Sequence, residues 1–403
     1  MKNVIIVGGG IVGLAVAYKL SSNKNLNIIV LEKENDLGQH QSTHNSGVLH
    51  CGLYYKPGSL KAILSVEGIK QMTEFCKKYN IPHEICGKLV VSTNQEESAK
   101  LNELFERGTK NGLKNIRKLN KQQMLEIEPN VGGIEALHVP QEGIVDYKKV
   151  IQKLSELITN NGHKIKLNSK VINITKDKVF VENEQFNYDI LINCTGLHSD
   201  KISKFTTKIK SKIVPFRGEY YKLKPESEHL VKNLIYPVPD PKYPFLGVHF
   251  TRLVNGGIEA GVHFTRLVNG GIEAGPNAVL AFSREGYTLF DINLIDIFDY
   301  ITFKGFWKFI FKHKYMCFKE LYQSISKKQF VNALQKLVPN IKENDLIKGD
   351  AGVRAQAMSN TGELIQDFEI VIKDNVCNVV NCPSPAATSS LSIADYIIKQ
   401  IKL

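Results

Sequence analysis

The sequence predicts an α/β protein: a Rossmann-like nucleotide-binding domain assembled from separated stretches, carrying a second α+β domain built on a mixed or antiparallel sheet. Three observations predict it. Residues 4–13, VIIVGGGIVG, pass from an apolar strand through a glycine turn into a helix, and Glu32 closes the next apolar run. Residues 188–196, YDILINCTG, read as a buried strand ending in a small-residue turn. Residues 376–382 read as a strand, 383–390 (PSPAATSS) as a small-residue turn and 391–402 as an amphipathic helix. Three such bends, remote in sequence, point to one domain built from 1–85, 145–212 and 345–403. Residues 86–144 and 213–344 would then form the second domain over the ligand.

In the first unit Gly8, Gly10 and Gly13 have the GxGxxG spacing. Gly8 permits the tight turn, Gly10 lets backbone approach a pyrophosphate, and Gly13 lets helix and strand pack closely. The helix that follows directs its free N–H groups and positive dipole end at the phosphates. Glu32 can accept hydrogen bonds from both ribose hydroxyls and would repel a 2′-phosphate, which favours FAD or NAD over NADP. The uncharged run between Lys2 and Lys19 is 16 residues long and carries four glycines. A membrane span needs about 20 apolar residues, and a signal peptide gives no reason for the second strand and its acid. The chain is therefore expected to begin at its first structural strand.

The remaining elements follow from periodicity. Residues 59–80 place Leu60, Ile63, Leu64, Ile69, Met72 and Phe75 on one helical face. Residues 85–93 read as a strand, 95–112 as a charged surface helix ending at Gly112, and 143–146 as a short strand before a helix at 147–161. Short strands follow at 164–167, 170–175 and 178–182. At 403 residues the chain is long enough for two domains. Its net charge of +12 comes from lysines scattered along the whole length, which argues against a nucleic-acid surface. The seven cysteines form no CxxC pair and no zinc-spaced cluster, so reduced thiols in a cytoplasmic setting, and no metal, are expected.

Residues 247–260 (GVHFTRLVNGGIEA) recur without change at 261–274. Each copy encodes strand, Asn-Gly-Gly turn and strand, hence a hairpin. Two copies are too few for a repeat architecture. Inserting a hairpin into a meander reverses chain direction, whereas a longer loop costs little. His249 is therefore expected to keep the original strand position, with 255–268 protruding.

The segment His40–Ala62, HQSTHNSGVLHCGLYYKPGSLKA, closely resembles the L-2-hydroxyglutarate oxidase/dehydrogenase family of the FAD-dependent D-amino-acid-oxidase-like superfamily. QEGIVD at 141–146, VPFRGEYY at 214–221, YPVPDP at 236–241, GPNAVLAF at 275–282, GVRAQ at 352–356 and SPAAT at 384–388 extend the resemblance over nearly the whole chain. The tandem copy departs from the family pattern, as does Cys51, where a small residue such as Ser or Ala is more usual. The resemblance implies a glutathione-reductase-type FAD domain and oxidation of (S)-2-hydroxyglutarate to 2-oxoglutarate by hydride transfer to flavin N5. Cofactor contacts are then expected from Gly8, Gly10, Gly13 and Glu32, and from Ser42, His44, Asn45 and Ser46. Val171, Thr195, Gly196, Ser384, Ala386 and Thr388 complete the set.

The residues themselves can be read for this chemistry. A 2-hydroxy acid needs a carboxylate clamp, a base for its hydroxyl proton and a hydride acceptor, which the flavin supplies. Arg354, in a glycine-rich stretch, has the planar fork that suits a carboxylate; the alternative is an ion pair with Asp350 or Asp367. His50 is the first candidate for the base, with His249 and His44 behind it; either His44 or His50 could instead contact the pyrophosphate or ribityl chain. Arg217 is a second candidate clamp, and Tyr54, Tyr55 and Tyr220 are candidate hydrogen-bond donors to the distal carboxylate. Residues 300–322 alternate aromatic and basic side chains and include Trp307, the only tryptophan. Such a helix either lies on an anionic bilayer, near a quinone pool, or packs its aromatics on the second domain. Oxygen or a quinone would take the electrons. The alternatives are a related oxidase of an amino acid or glycerol 3-phosphate, or a flavin-binding protein inactivated by the duplication.

Overall fold

The computed structural model describes all residues except 240–248, 253–257, 262, 316, 318–321, 323, 325 and 402–403. A six-stranded sheet carries the glycine turn. Its order is Glu369–Lys373, Val376–Asn381, Ile190–Asn193, Lys2–Val7, Leu26–Leu31 and Lys164–Lys166. All neighbours are parallel except the first pair. The strands Lys2–Val7 and Ile190–Asn193 read as unbroken apolar runs because both faces are covered. Helices Ile11–Leu20, Tyr147–Asn160 and Ser390–Gln400 pack together, and Leu60–Lys78 lies against the last of them. The other face is covered by the three-stranded antiparallel sheet Val171–Ile174, Lys178–Val181 and Gln185–Asn187, so the layer is Rossmann-like as expected, and the expected helices and strands between 59 and 193 form within a few residues of their predicted bounds.

The second layer is a nine-stranded mixed sheet. It runs Val279–Leu280, Lys212–Leu223, Ile272–Gly275, His263–Arg266, Leu234–Pro237, Lys88–Ser92, Glu135–Val139 and Arg117–Asn120. The ninth strand, Leu346–Met358, also pairs with Lys212–Leu223, from Lys212↔Met358 to Leu223↔Leu346. That strand falls inside 345–403, the stretch expected in the nucleotide domain, yet its pairing carries it into the large sheet. Arg354 rides on it, opposite Phe216. A small sheet, Val48–Leu49, Gly143–Val145 and His83–Glu84, brings the 40–50 segment beside residue 142.

The duplication resolves differently from expectation. His263–Arg266 and Ile272–Gly275, from the second copy, occupy the large sheet, whereas among the described residues His249–Arg252 and Ile258–Gly261 pair only with each other. The expectation that His249 keeps the strand position and that 255–268 protrude is corrected for the described residues: 263–266 are paired inside the sheet. The cause is the junction after the second copy. Gly275 (φ +142°) comes so near Lys212–Leu223 that a Cβ would stand 2.8 Å from the Glu219 carbonyl oxygen. Two residues on, the Asn277 amide oxygen accepts from Glu219 N–H at 2.8 Å and its nitrogen donates to the Glu219 carboxylate at 3.1 Å. Only the second copy runs directly into Pro276-Asn277; Gly261 is followed by Val262. The copy next to this clamp fixes the register, so the surplus hairpin lies on the N-terminal side.

Candidate active site

One cavity of about 850 Å³ lies between the two layers. It is at the upper end of the range for ligand sites. The glycine turn forms its floor. Gly8 has φ +107°, and a Cβ there would lie 2.6 Å from the Cys194 carbonyl oxygen; a Cβ on Gly13 would lie 2.1 Å from the Gly8 carbonyl oxygen. Gly10 precedes helix Ile11–Leu20 and offers no side-chain cap. Ser42 takes part of that role, its hydroxyl accepting from Ile11 N–H at 3.0 Å. Glu32, 8 % exposed, accepts from Gly9 N–H at 2.6 Å and Glu34 N–H at 2.9 Å while still lining the cavity.

The other expected contacts converge here too. Thr195 and Gly196, at the end of the strand Ile190–Asn193, line the cavity with Val171, Ser384, Ala386 and Thr388. Asn45, Ser46 and His44 line it from the opposite loop. Asn45 is spent on that loop: its amide nitrogen donates to the Gln41 and Ser42 carbonyls, and its oxygen accepts from Gly47 N–H. The His44 ring lies 4.5 Å from the Tyr287 ring. Thr388 ties the third bend to the small sheet and to helix Tyr147–Asn160, its hydroxyl accepting from His50 N–H at 3.2 Å and contacting the Tyr147 hydroxyl at 2.8 Å.

Arg354 faces the same cavity. Neither acid considered for it is its partner: Asp350 pairs with Lys222 at 2.7 Å, and Asp367 accepts from the Leu60 and Lys61 N–H groups. Among the described residues no carboxylate lies within 4.0 Å of its guanidinium. Tyr220 lines the cavity beside it, in contact with Arg354 and Ser46; burial pushes its phenol up to about 12, against the pull of the arginine charge. Arg217 is corrected as a clamp. It is fully buried outside the cavity, pairing with Glu219 at 3.1 Å and donating to the Thr288 carbonyl. Tyr54 and Tyr55 are buried along the wall.

His50 is on the wall, its Nδ1 3.5 Å from Glu142. His249 lies on the two-stranded ribbon. His263 of the second copy has the cavity position instead, 4 % exposed with its ring stacked 3.9 Å from Tyr236. Three further residues escaped the sequence reading. Lys88 opens an otherwise apolar strand, and Glu142 lies in QEGIVD; they pair at 2.6 Å, both buried. Lys61 is buried one turn before the buried Ser65 on helix Leu60–Lys78, although it is not among the apolar residues of the predicted face. Its ammonium donates to the Gln366 carbonyl at 3.3 Å and lies 4.7 Å over the Tyr55 ring. Burial draws its pKa down to about 8, with Asp367 opposing.

A glycine cradle that excludes Cβ atoms, a helix start with no capping side chain of its own and an acid on the cavity wall fit an extended dinucleotide. The family model described as FAD dependent oxidoreductase matches residues 3–400. The chain belongs to that family. It is 49 % identical over 401 residues to the L-2-hydroxyglutarate dehydrogenase of Indibacter alkaliphilus, covering 98 % of this chain and 97 % of that one. It is 40 % identical to the mitochondrial L-2-hydroxyglutarate dehydrogenase of Homo sapiens, covering 99 % and 88 %. Among solved structures, the L-alpha-glycerophosphate oxidase of Mycoplasma pneumoniae superposes with a TM-score of 0.75 at 21 % identity, covering 99 % and 94 % of the two chains. Glycine oxidase from Geobacillus kaustophilus gives 0.70 at 14 % identity, covering 100 % and 96 %. At such identities these two establish the fold alone. As a member of this family the chain is an FAD-dependent oxidoreductase.

Proposed function

We propose that this enzyme oxidises (S)-2-hydroxyglutarate to 2-oxoglutarate, with Arg354 holding the C1 carboxylate and His50 taking the hydroxyl proton. The observation that carries the reading is Arg354: a guanidinium without an acidic partner among the described residues, turned into the cavity that the glycine cradle opens. A planar fork in that setting suits a carboxylate bidentately. Gly8, Gly10, Gly13, Glu32, Ser42, Thr195 and the 384–388 turn would hold FAD, which supplies the hydride acceptor. His50 and His263 share the wall and Tyr220 stands beside Arg354, so a two-carboxylate acid meets polar partners at both ends. The high identity to L-2-hydroxyglutarate dehydrogenases supports this substrate over an amino acid or glycerol 3-phosphate. Anaerobic mixing of the yellow holoenzyme with each enantiomer tests it. The (S) form is expected to bleach the flavin and the (R) form, glycine and glycerol 3-phosphate are not. Arg354→Lys should retain FAD and lose about 10²-fold or more in reduction rate, because a point charge cannot replace the fork. Bleaching by none of these acids would show that the cavity serves another reaction.

We also propose a peripheral bilayer contact. Among the described residues no helix is long and apolar enough to cross a membrane. Helices Leu294–Ile301 and Lys304–Lys312 bury Tyr300, Phe306 and Phe309 against Phe216 and Met358. Their other side leaves Leu294, Ile295, Phe298, Trp307 and Phe311 between 47 % and 76 % exposed, with Phe290 at 89 % just before them. The packing reading describes the buried face, and the exposed face is what supports the bilayer reading. An exposed apolar face bordered by Lys304, Lys308 and Lys312 suits an anionic surface and would bring the flavin near quinones. Co-sedimentation with anionic vesicles should fall at least tenfold in a Phe298→Glu/Phe311→Glu variant of unchanged FAD content; equal binding would refute this.

A further inference from the structure

We propose that Glu142 is the positioning residue for His50 and that Lys88 anchors Glu142, so that one buried ion pair sets which imidazole nitrogen meets the substrate. The inference rests on the reading of His50 as proton acceptor and goes beyond it.

The register brings the pair together. In the small antiparallel sheet Leu49 lies opposite Gly143, which sets His50 opposite Glu142. Gly87 N–H donates to the Glu142 carbonyl at 2.9 Å and holds that residue's backbone. The carboxylate is 1 % exposed and surrounded by donors. Cys51 N–H reaches one oxygen at 3.2 Å and the Cys51 thiol reaches it at 3.3 Å; Lys88 Nζ stands 2.6 Å from the other, which also faces His50 Nδ1 at 3.5 Å. Burial alone would push this carboxyl up, but Lys88 and His50 outweigh it and hold the group well below the usual carboxylate range. The fully buried Lys88 lies 4.4 Å over the Tyr54 ring and 4.7 Å over Tyr236, and Tyr236 in turn stacks on His263. One lysine therefore braces the supports of both wall histidines.

An ionised carboxylate can only accept hydrogen bonds. A proton on Nδ1, the imidazole nitrogen 3.5 Å from it, is therefore favoured, and the lone pair is left on Nε2. Nε2 would then take the hydroxyl proton, and FAD held in the glycine cradle would supply the acceptor for the hydrogen and electron pair of the C2–H bond, so that the alcohol becomes a ketone. The imidazolium formed faces Glu142, whose charge compensates it. Contacts of this kind are often long without substrate and tighten on binding.

The test uses holoenzyme, anaerobic rapid mixing with (S)-2-hydroxyglutarate, and titration with 2-oxoglutarate followed through the flavin spectrum. Glu142→Gln should keep FAD and bind 2-oxoglutarate within about threefold of wild type, while the limiting reduction rate falls about 10²-fold or more. Because that variant leaves Lys88 buried without its anion, Lys88→Met/Glu142→Leu is made beside it. Removing both charges preserves packing, and the same selective loss of rate is expected. His50→Asn separates the two ideas. Undiminished reduction in His50→Asn overturns the base assignment itself. Loss there, with wild-type limiting rates in a folded Glu142 variant, overturns the positioning role and leaves the base. Rate and 2-oxoglutarate affinity lost together in both Glu142 variants would make the pair merely structural and also overturn it.

Discussion

The two hairpin copies are identical in sequence, so paired substitutions in them form an internal control. Phe264 is 0 % exposed and packs in the cluster of Leu89, Val91, Ile235, Ala274 and Leu334. Truncating such a ring costs about 3–5 kcal/mol, the transfer loss plus the cavity left behind. That is a large share of the roughly 5–15 kcal/mol that separates folded from unfolded domains. Phe250 occupies the corresponding position in the first copy, on a strand that among the described residues pairs with Ile258–Gly261 and not with the large sheet. We expect urea unfolding followed by far-UV circular dichroism to show Phe264→Ala shifted to markedly lower midpoint and Phe250→Ala within about 0.5 kcal/mol of wild type. Deleting 247–260 gives the same chain as deleting 261–274, because the repeats match. That single-copy chain should stay at least as stable, since each doubling of a loop changes closure by only about 0.6 kcal/mol. Equal damage from both phenylalanine substitutions, or greater damage from Phe250→Ala, would refute the assignment of the second copy to the sheet.

The same asymmetry should appear in the reaction: His263→Ala is expected to lower the flavin reduction rate or substrate affinity at least tenfold and His249→Ala to change neither, as single-turnover kinetics would show. A pH effect follows from Glu273, 7 % exposed on the second copy, whose carboxyl burial raises to about 7 with Lys222 opposing and Asp350 assisting. Its folded pKa exceeds the unfolded value of roughly 4.3, so the folded state binds the extra proton in between and stability falls as pH rises through that window. Glu273→Gln should therefore match wild type near pH 4 and exceed it at pH 8 by about 1–3 kcal/mol, whereas a flat difference between the two pH values would contradict the burial argument. Gly13→Ala should purify colourless, because its Cβ would lie 2.1 Å from the Gly8 carbonyl oxygen; retained flavin absorbance at wild-type stoichiometry would show that the turn can yield.

What the sequence disclosed and what it hid divide along physical lines. The nucleotide layer was legible because each of its constraints is local: a glycine with φ +107°, a helix that starts at a glycine, and an acid directly after the next strand. Arg354 was legible for a similar reason, as a lone cation in a stretch of small residues. Lys88 and Glu142 were not, because they lie 54 residues apart in sequence and meet only through the pairing of Lys88 with Val139 and the Gly87–Glu142 backbone bond, which no periodicity reports. The duplication makes the limit sharper. Two identical stretches have identical propensities, so nothing inside either can say which one enters the sheet. The choice came from outside them, from Asn277 gripping Glu219 and a glycine with no room for a side chain. Loop-closure reasoning alone treats the two ends of the insertion as equivalent, and the expectation about His249 rested on that equivalence. A tight junction at the C-terminal end, where Asn277 and Gly275 meet Glu219, breaks it.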